Sequence, residues 1–140
     1  HRRVTVQIDL EQARHAARRH GFLVLFVSAC LGFALEVAHA LKLSSYLDQP
    51  LRRELLTWAH AHGVGLGLVL LAYGTSGVVD ARTAAHERVL ALGATLMPLG
   101  FALASLDVRE SDPGVAIFLV PGGALLVLRA LYVALRAAAR

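Results

Sequence analysis

Four apolar runs divide this chain, and each is long enough to cross a lipid bilayer as a helix. They cover about residues 21–43, 55–79, 89–106 and 115–135, with short polar stretches between them. A helix needs roughly 20 apolar residues to span the hydrocarbon core. The chain is 56% hydrophobic, above the roughly 45–50% of a soluble domain. Charged residues make up 17%, against about 25% in an average globular protein, and they avoid the apolar runs. The sequence therefore reads as an all-α polytopic membrane protein: a four-transmembrane-helix bundle over residues 21–140, preceded by a basic segment at 1–20. Its 140 residues suit one compact domain.

The net charge of +4 does not indicate a nucleic-acid partner. The charges sit at the ends of the spans, where positive charge sets membrane orientation, and not along one soluble face. Lys42 is the only lysine, and the excess of Arg together with the richness in Ala reflects base composition. Cys30, the sole cysteine, forms no internal disulfide and belongs to no zinc-type pair. Its place mid-span predicts a small buried residue. No signal-peptide pattern is evident, because the first apolar run is long enough to span.

In the basic segment Val4, Val6, Ile8 and Leu10 alternate with polar residues, which predicts a short strand. Asp9 is placed to cap a helix, with Gln12 three residues on as in a capping box. The run from Leu10 to His20, carrying Arg14, Arg18 and Arg19, reads as a cytoplasmic helix that lies on the lipid surface or enters span one directly. Residues 44–50 form a turn, and Pro50 favours a fresh helix start. Tyr46 and Trp58 fit the interfacial aromatic belt. Pro98 is expected to kink span three, and Pro121-Gly122-Gly123 to interrupt span four, whose only charge is Arg129.

Span two is rich in glycine: Gly63, Gly65, Gly67, Gly74 and Gly77. Gly63 and Gly67 form a G-x-x-x-G pair, the spacing that lets membrane helices approach closely. They are the expected contact face toward a second copy or a membrane-complex partner.

The polar residues that stand out are Glu36 and His39 at the end of span one, and His60 and His62 at the start of span two. The turn between the spans brings all four to one bilayer face at similar depth. Ionisable groups inside a membrane span are costly and default to a functional reading. Glu36 and His39 are three apart and share a helix face. Glu-x-x-His is the spacing of di-iron bundles, but the second pair and further carboxylates that such a centre needs are missing. A single transition-metal ion held by Glu36, His39 and one of His60 or His62 is more economical. Haem b is the other candidate, with His39 and His60 or His62 as axial ligands. Gly63, Gly65 and Gly67 would make room for it, and Glu36 would orient a ligand imidazole. His60 shares a stripe with Gly63, Gly67, Leu71 and Gly74, whereas His62 lies with Trp58, Gly65, Val69 and Tyr73. Two residues correspond to a rotation of about 200°, so the two histidines point to different sides of a regular helix.

Three further readings stand beside these. The Glu and His side chains could pair merely to be satisfied in lipid, the chain could be a cofactor-free assembly subunit, or an oligomer could conduct protons or ions through Glu36. His1, His15, His20 and His86 lie in polar segments and read as solvated. There is no phosphate-binding Gly-Lys-Ser/Thr loop, no His-Glu-x-x-His helix and no Gly-x-Ser-x-Gly elbow, so the sequence leans away from an enzyme. Nor does it show the matching broken halves of an inverted-repeat carrier.

Positive charge is asymmetric. Arg2, Arg3, Arg14, Arg18, Arg19, Arg82, Arg88, Arg136 and Arg140 lie on one side, nine in all, and Lys42, Arg52, Arg53 and Arg109 on the other, four in all. The positive-inside rule places both termini in the cytoplasm, in a bacterium at the inner membrane, with the Glu/His cluster facing out.

Overall fold

The computed structural model describes the backbone of residues 2–76 and 86–139. Gly77, most of the loop containing Arg82, His1 and Arg140 lie outside the described residues. The chain forms α1 (Arg2–Ala40), the short α2 (Ser44–Leu47), α3 (Pro50–Thr75), α4 (His86–Ala104) and α5 (Leu119–Ala138). Single 3₁₀ turns occupy Ser105–Asp107 and Val115–Phe118. Four helical stretches, Leu10–Ala40, Pro50–Thr75, His86–Asp107 and Val115–Ala138, are long and apolar enough to cross a membrane. The molecule is an all-α four-helix membrane bundle.

Three local expectations are corrected. The alternating stretch from Val4 to Leu10 is helical, and Asp9 lies inside α1 and does not cap it. Helix propagates cheaply once nucleated, and the Ala, Arg, Glu and Gln residues of 11–19 favour it. An isolated strand would have no partner in an all-helical protein. Pro121 does not interrupt the fourth span. It is the third residue of α5, in the first turn, where an N–H would have no acceptor within α5, so the N–H that proline lacks is not missed; the 3₁₀ turn at Val115–Phe118 leads into it. Cys30 is exposed, on the outer surface of α1. Helix ends also extend beyond the apolar runs. α3 begins at Pro50, whose fixed φ suits a first turn, and α4 is already helical at His86.

The helices are arranged as a folded row. α3 packs on α1 and α4, α4 packs on α5, and α1 also touches α4. The apolar windows of α3 and α4 are 33% and 39% buried, against 17% for each of α1 and α5, so α3 and α4 form the centre. Ala17, Leu70, Tyr73, Leu90, Ala94, Val127 and Ala130 from all four long helices make the buried core, at the end of the bundle where both termini lie. Phe22, Phe26 and Phe33 of α1 and Leu125, Leu128 and Leu135 of α5 are exposed, as suits faces that meet acyl chains.

Glycines set the approach of the helices. A Cβ on Gly67 would meet Leu25 and the Gly21 carbonyl, one on Gly74 would meet the Arg14 carbonyl, and one on Gly63 would overlap the Ser28 hydroxyl. Residue numbers fall along α3 as they rise along α1, so the pair is antiparallel. Gly63 and Gly67, expected to face a second molecule, are taken up by α1 of the same chain. Between α4 and α5, a Cβ on Gly93 would lie 2.7 Å from the Gly123 carbonyl oxygen.

α1 ends in a tight cap. The Leu43 amide donates to the Ala38 carbonyl and the Lys42 amide to the His39 carbonyl, at 3.0 Å each, with Lys42 left-handed at φ 52°. This is a Schellman arrangement with Lys where Gly is usual. Lys42→Gly is expected to stabilise the bundle by about 0.5–1 kcal/mol, read as a higher midpoint in detergent unfolding. Beyond the cap, the Arg52 guanidinium donates to the carbonyls of Ser105 (3.1 Å) and Ser45 (3.0 Å). It ties the turn after α4 to α2 and closes the end of the bundle opposite the termini.

Candidate functional site

The four singled-out residues lie near this closed end, as the turn between the spans requires, but the structure separates them into two groups. Glu36 and His39 on α1 and His60 on α3 line one cavity of about 600 Å³, together with Gly32, Tyr46 and Thr57. His62 is on the other side of α3. Its ring is 5.1 Å from that of Phe101 on α4 and 5.4 Å from that of Trp58. α3 is regular here, so the two-residue step turns the histidines apart.

His60 is held by two features of α1. Its Nδ1–H donates to the Ser28 carbonyl oxygen at 2.8 Å. Because a carbonyl only accepts, a proton sits on Nδ1, so the tautomer that this bond selects has its lone pair on Nε2. The ring lies against Gly32, where a Cβ would stand 2.5 Å from His60 Cε1. Only glycine admits the imidazole there. Ser28, Gly32 and Glu36 follow one another at four-residue steps, and His39 comes three further on. They form one face of α1, turned toward α3 along its C-terminal half.

His62 is oriented in the same manner but locally. Its Nδ1–H donates to the Trp58 carbonyl oxygen one turn back, at 2.9 Å. The Trp58 ring also stacks with Phe101 at 6.4 Å. The aromatic belt expected of Trp58 therefore includes a contact between α3 and α4.

Glu36 and His39 are exposed in the isolated chain, and no hydrogen bond joins them among the described residues. Among those residues, no three His, Cys, Asp or Glu side chains are gathered closely enough to hold one metal ion. The site thus offers one pre-oriented imidazole, with a second imidazole and a carboxylate lining the same cavity. Ser28, Gly32 and Phe101 were not singled out from sequence. The first two could have been found from the four-residue stripe that they share with Glu36. Phe101 carries no such signal, because its partner lies on another helix.

Two outlying histidines are not simply solvated. His20 bonds across to Thr95 of α4, and the buried His86 Nδ1 has no hydrogen-bond partner among the described residues.

No protein-family profile, curated protein or solved structure matches the chain. Fold and composition define it as an integral membrane protein with four spanning helices.

Proposed function

We propose that this chain is a small haem-binding membrane protein, serving as a redox or accessory subunit, with His60 as an axial ligand. One observation carries the reading: His60 donates Nδ1–H to the Ser28 carbonyl, which leaves Nε2 available as a ligand, on the wall of a cavity of about 600 Å³. Cofactor pockets fall in the range of about 300–1,000 Å³. A metal-ligating imidazole is commonly set by just such a bond from its other nitrogen. Haem is favoured over a bare transition-metal ion because the macrocycle supplies four ligands itself and asks the protein for only one or two. His39 is the second imidazole lining the same cavity. Glu36 serves as a polar partner to a ligand ring or to a haem edge. His62, on the opposite face of α3, is outside this set.

The positive-inside bias supports cytoplasmic termini in a bacterial inner membrane, and hence an outward-facing site. Oligomer or complex contacts would use faces other than Gly63 and Gly67.

The test is an absorption spectrum with elemental analysis on protein purified in mild detergent. A Soret band that shifts on reduction is expected. Stoichiometric zinc, copper or iron without that band would move the reading to a metal ion at Glu36, His39 and His60. A colourless, metal-free protein would leave the assembly subunit, with ion conduction through Glu36 as the lesser alternative.

A further inference from the structure

The opposite end of the bundle carries a second site, and its composition changes sharply along its length. A cavity of about 530 Å³ is lined by Gln12, His15, Arg19 and His20 of α1 and by Glu87 of α4. It shares His20 and Leu23 with an apolar groove of about 240 Å³ that continues between α1 and α4 past Val27 and Leu31 on one side and Pro98 and Leu99 on the other. The junction is fixed. The Thr95 hydroxyl donates to the Ala91 carbonyl at 2.9 Å, so it accepts from His20 Nε2–H, also at 2.9 Å. His20 is also where the sequence turns from Arg18-Arg19 to Gly21-Phe22-Leu23-Val24-Leu25, which is the level of the lipid headgroups.

We propose that this end binds one phosphatidylethanolamine molecule, with its headgroup in the polar mouth and one acyl chain along the groove. Among the residues that line the mouth, Arg19 is the one firm cation and Glu87, 6% exposed and beside Arg88, is the one carboxylate; no ion pair joins Arg19 to Glu87 among the described residues. A purely anionic headgroup would meet the carboxylate with like charge. A zwitterion matches both, with phosphate to the Arg19 guanidinium and ammonium to Glu87. The groove has the reach of one leaflet. From His20 to Leu31 the helix rises about 16 Å. Half of the hydrocarbon core is about 15 Å.

The experiment is native mass spectrometry of the full chain in mild detergent. The protein is challenged with equimolar phosphatidylethanolamine, phosphatidylcholine and phosphatidylglycerol of the same acyl chains. Phosphatidylethanolamine should be retained several-fold over both competitors. Choline presents methyl groups where the ammonium hydrogens would bond Glu87, and glycerol presents no cation. Arg19→Gln and Glu87→Gln should each weaken that retention about tenfold, the worth of one charge-assisted hydrogen bond. Val27→Trp is the variant that leaves both charges in place. Val27 is 58% exposed, so the bundle tolerates the change, while the indole occupies the groove and should displace the lipid. Equal retention of the three lipids, a preference for phosphatidylglycerol, or unchanged retention in Val27→Trp would each overturn the proposal.

Discussion

His60→Ala is expected to abolish haem binding, removing the Soret band while the protein still purifies as a folded helical bundle. Loss of even an outer partner of a metal ligand costs roughly 10–100-fold in affinity, and loss of the ligand itself should cost at least as much. The fold should survive because His60 is only partly buried and contributes one hydrogen bond, to Ser28. Two companion variants separate ligation from packing. Gly32→Ala would put a methyl group 2.5 Å from His60 Cε1, so the ring must leave its seat. The band should be lost or its ligand-field features changed with every histidine still present. His62→Ala removes an imidazole of the same kind from the opposite face of α3 and should leave the spectrum unchanged. A band that disappears in His62→Ala and persists in His60→Ala would sink the assignment. His39→Ala is the intermediate case: a switch from low-spin to high-spin haem is expected if His39 is the second axial ligand.

The second large effect concerns the packing of α4 on α5. Gly93→Leu is expected to destabilise the bundle by about 3 kcal/mol or more, at the upper end of overpacking costs. The reason is that the new side chain would start 2.7 Å from a backbone oxygen, that of Gly123, and 2.9 Å from the Val127 amide nitrogen. A backbone atom cannot rotate out of the way, so the helices must separate. In lipid, where no hydrophobic force draws helices together, close packing is the main attraction that would be lost. Gly65 is the internal control. Nothing lies within 4 Å of a Cβ built there. Gly65→Ala should therefore stabilise the protein by up to about 1 kcal/mol through helix propensity alone. Reversible unfolding in mixed detergent micelles reads both. A destabilised Gly65→Ala would mean that this face is covered, which the isolated chain does not show.

The architecture was readable because hydropathy reports directly on what lipid tolerates. Each of the four expected spans has its helix. The ends of those helices were less readable. Residues 50–54 and 86–88 are polar and give no apolar signal, yet they are helical because Pro50 starts a turn well and because a helix once begun continues at little cost. The strand expected at Val4–Leu10 rested on alternation alone, and continuity with a strongly helical neighbour outweighed it. The glycine pair at 63 and 67 marks a close approach, but the spacing does not say whose backbone approaches. It is α1 of the same chain. At the candidate site, the divergence of His60 and His62 follows from helix geometry and was legible. The Ser28 carbonyl and the seat at Gly32 depend on the register of α1 against α3, which pattern along one helix does not determine.

The uninterrupted course of α1 has a mechanical consequence. Its 39 residues make a rod of about 58 Å, longer than the roughly 40–45 Å of a whole bilayer with its headgroups. Neither of its glycines serves as a hinge, since Gly21 is clamped against Gly67 and Leu71, and Gly32 against His60. One continuous helix therefore joins the arginines of the basic end to Ser28, Gly32, Glu36 and His39, so the glycine contacts with α3 set the placement of both ends at once.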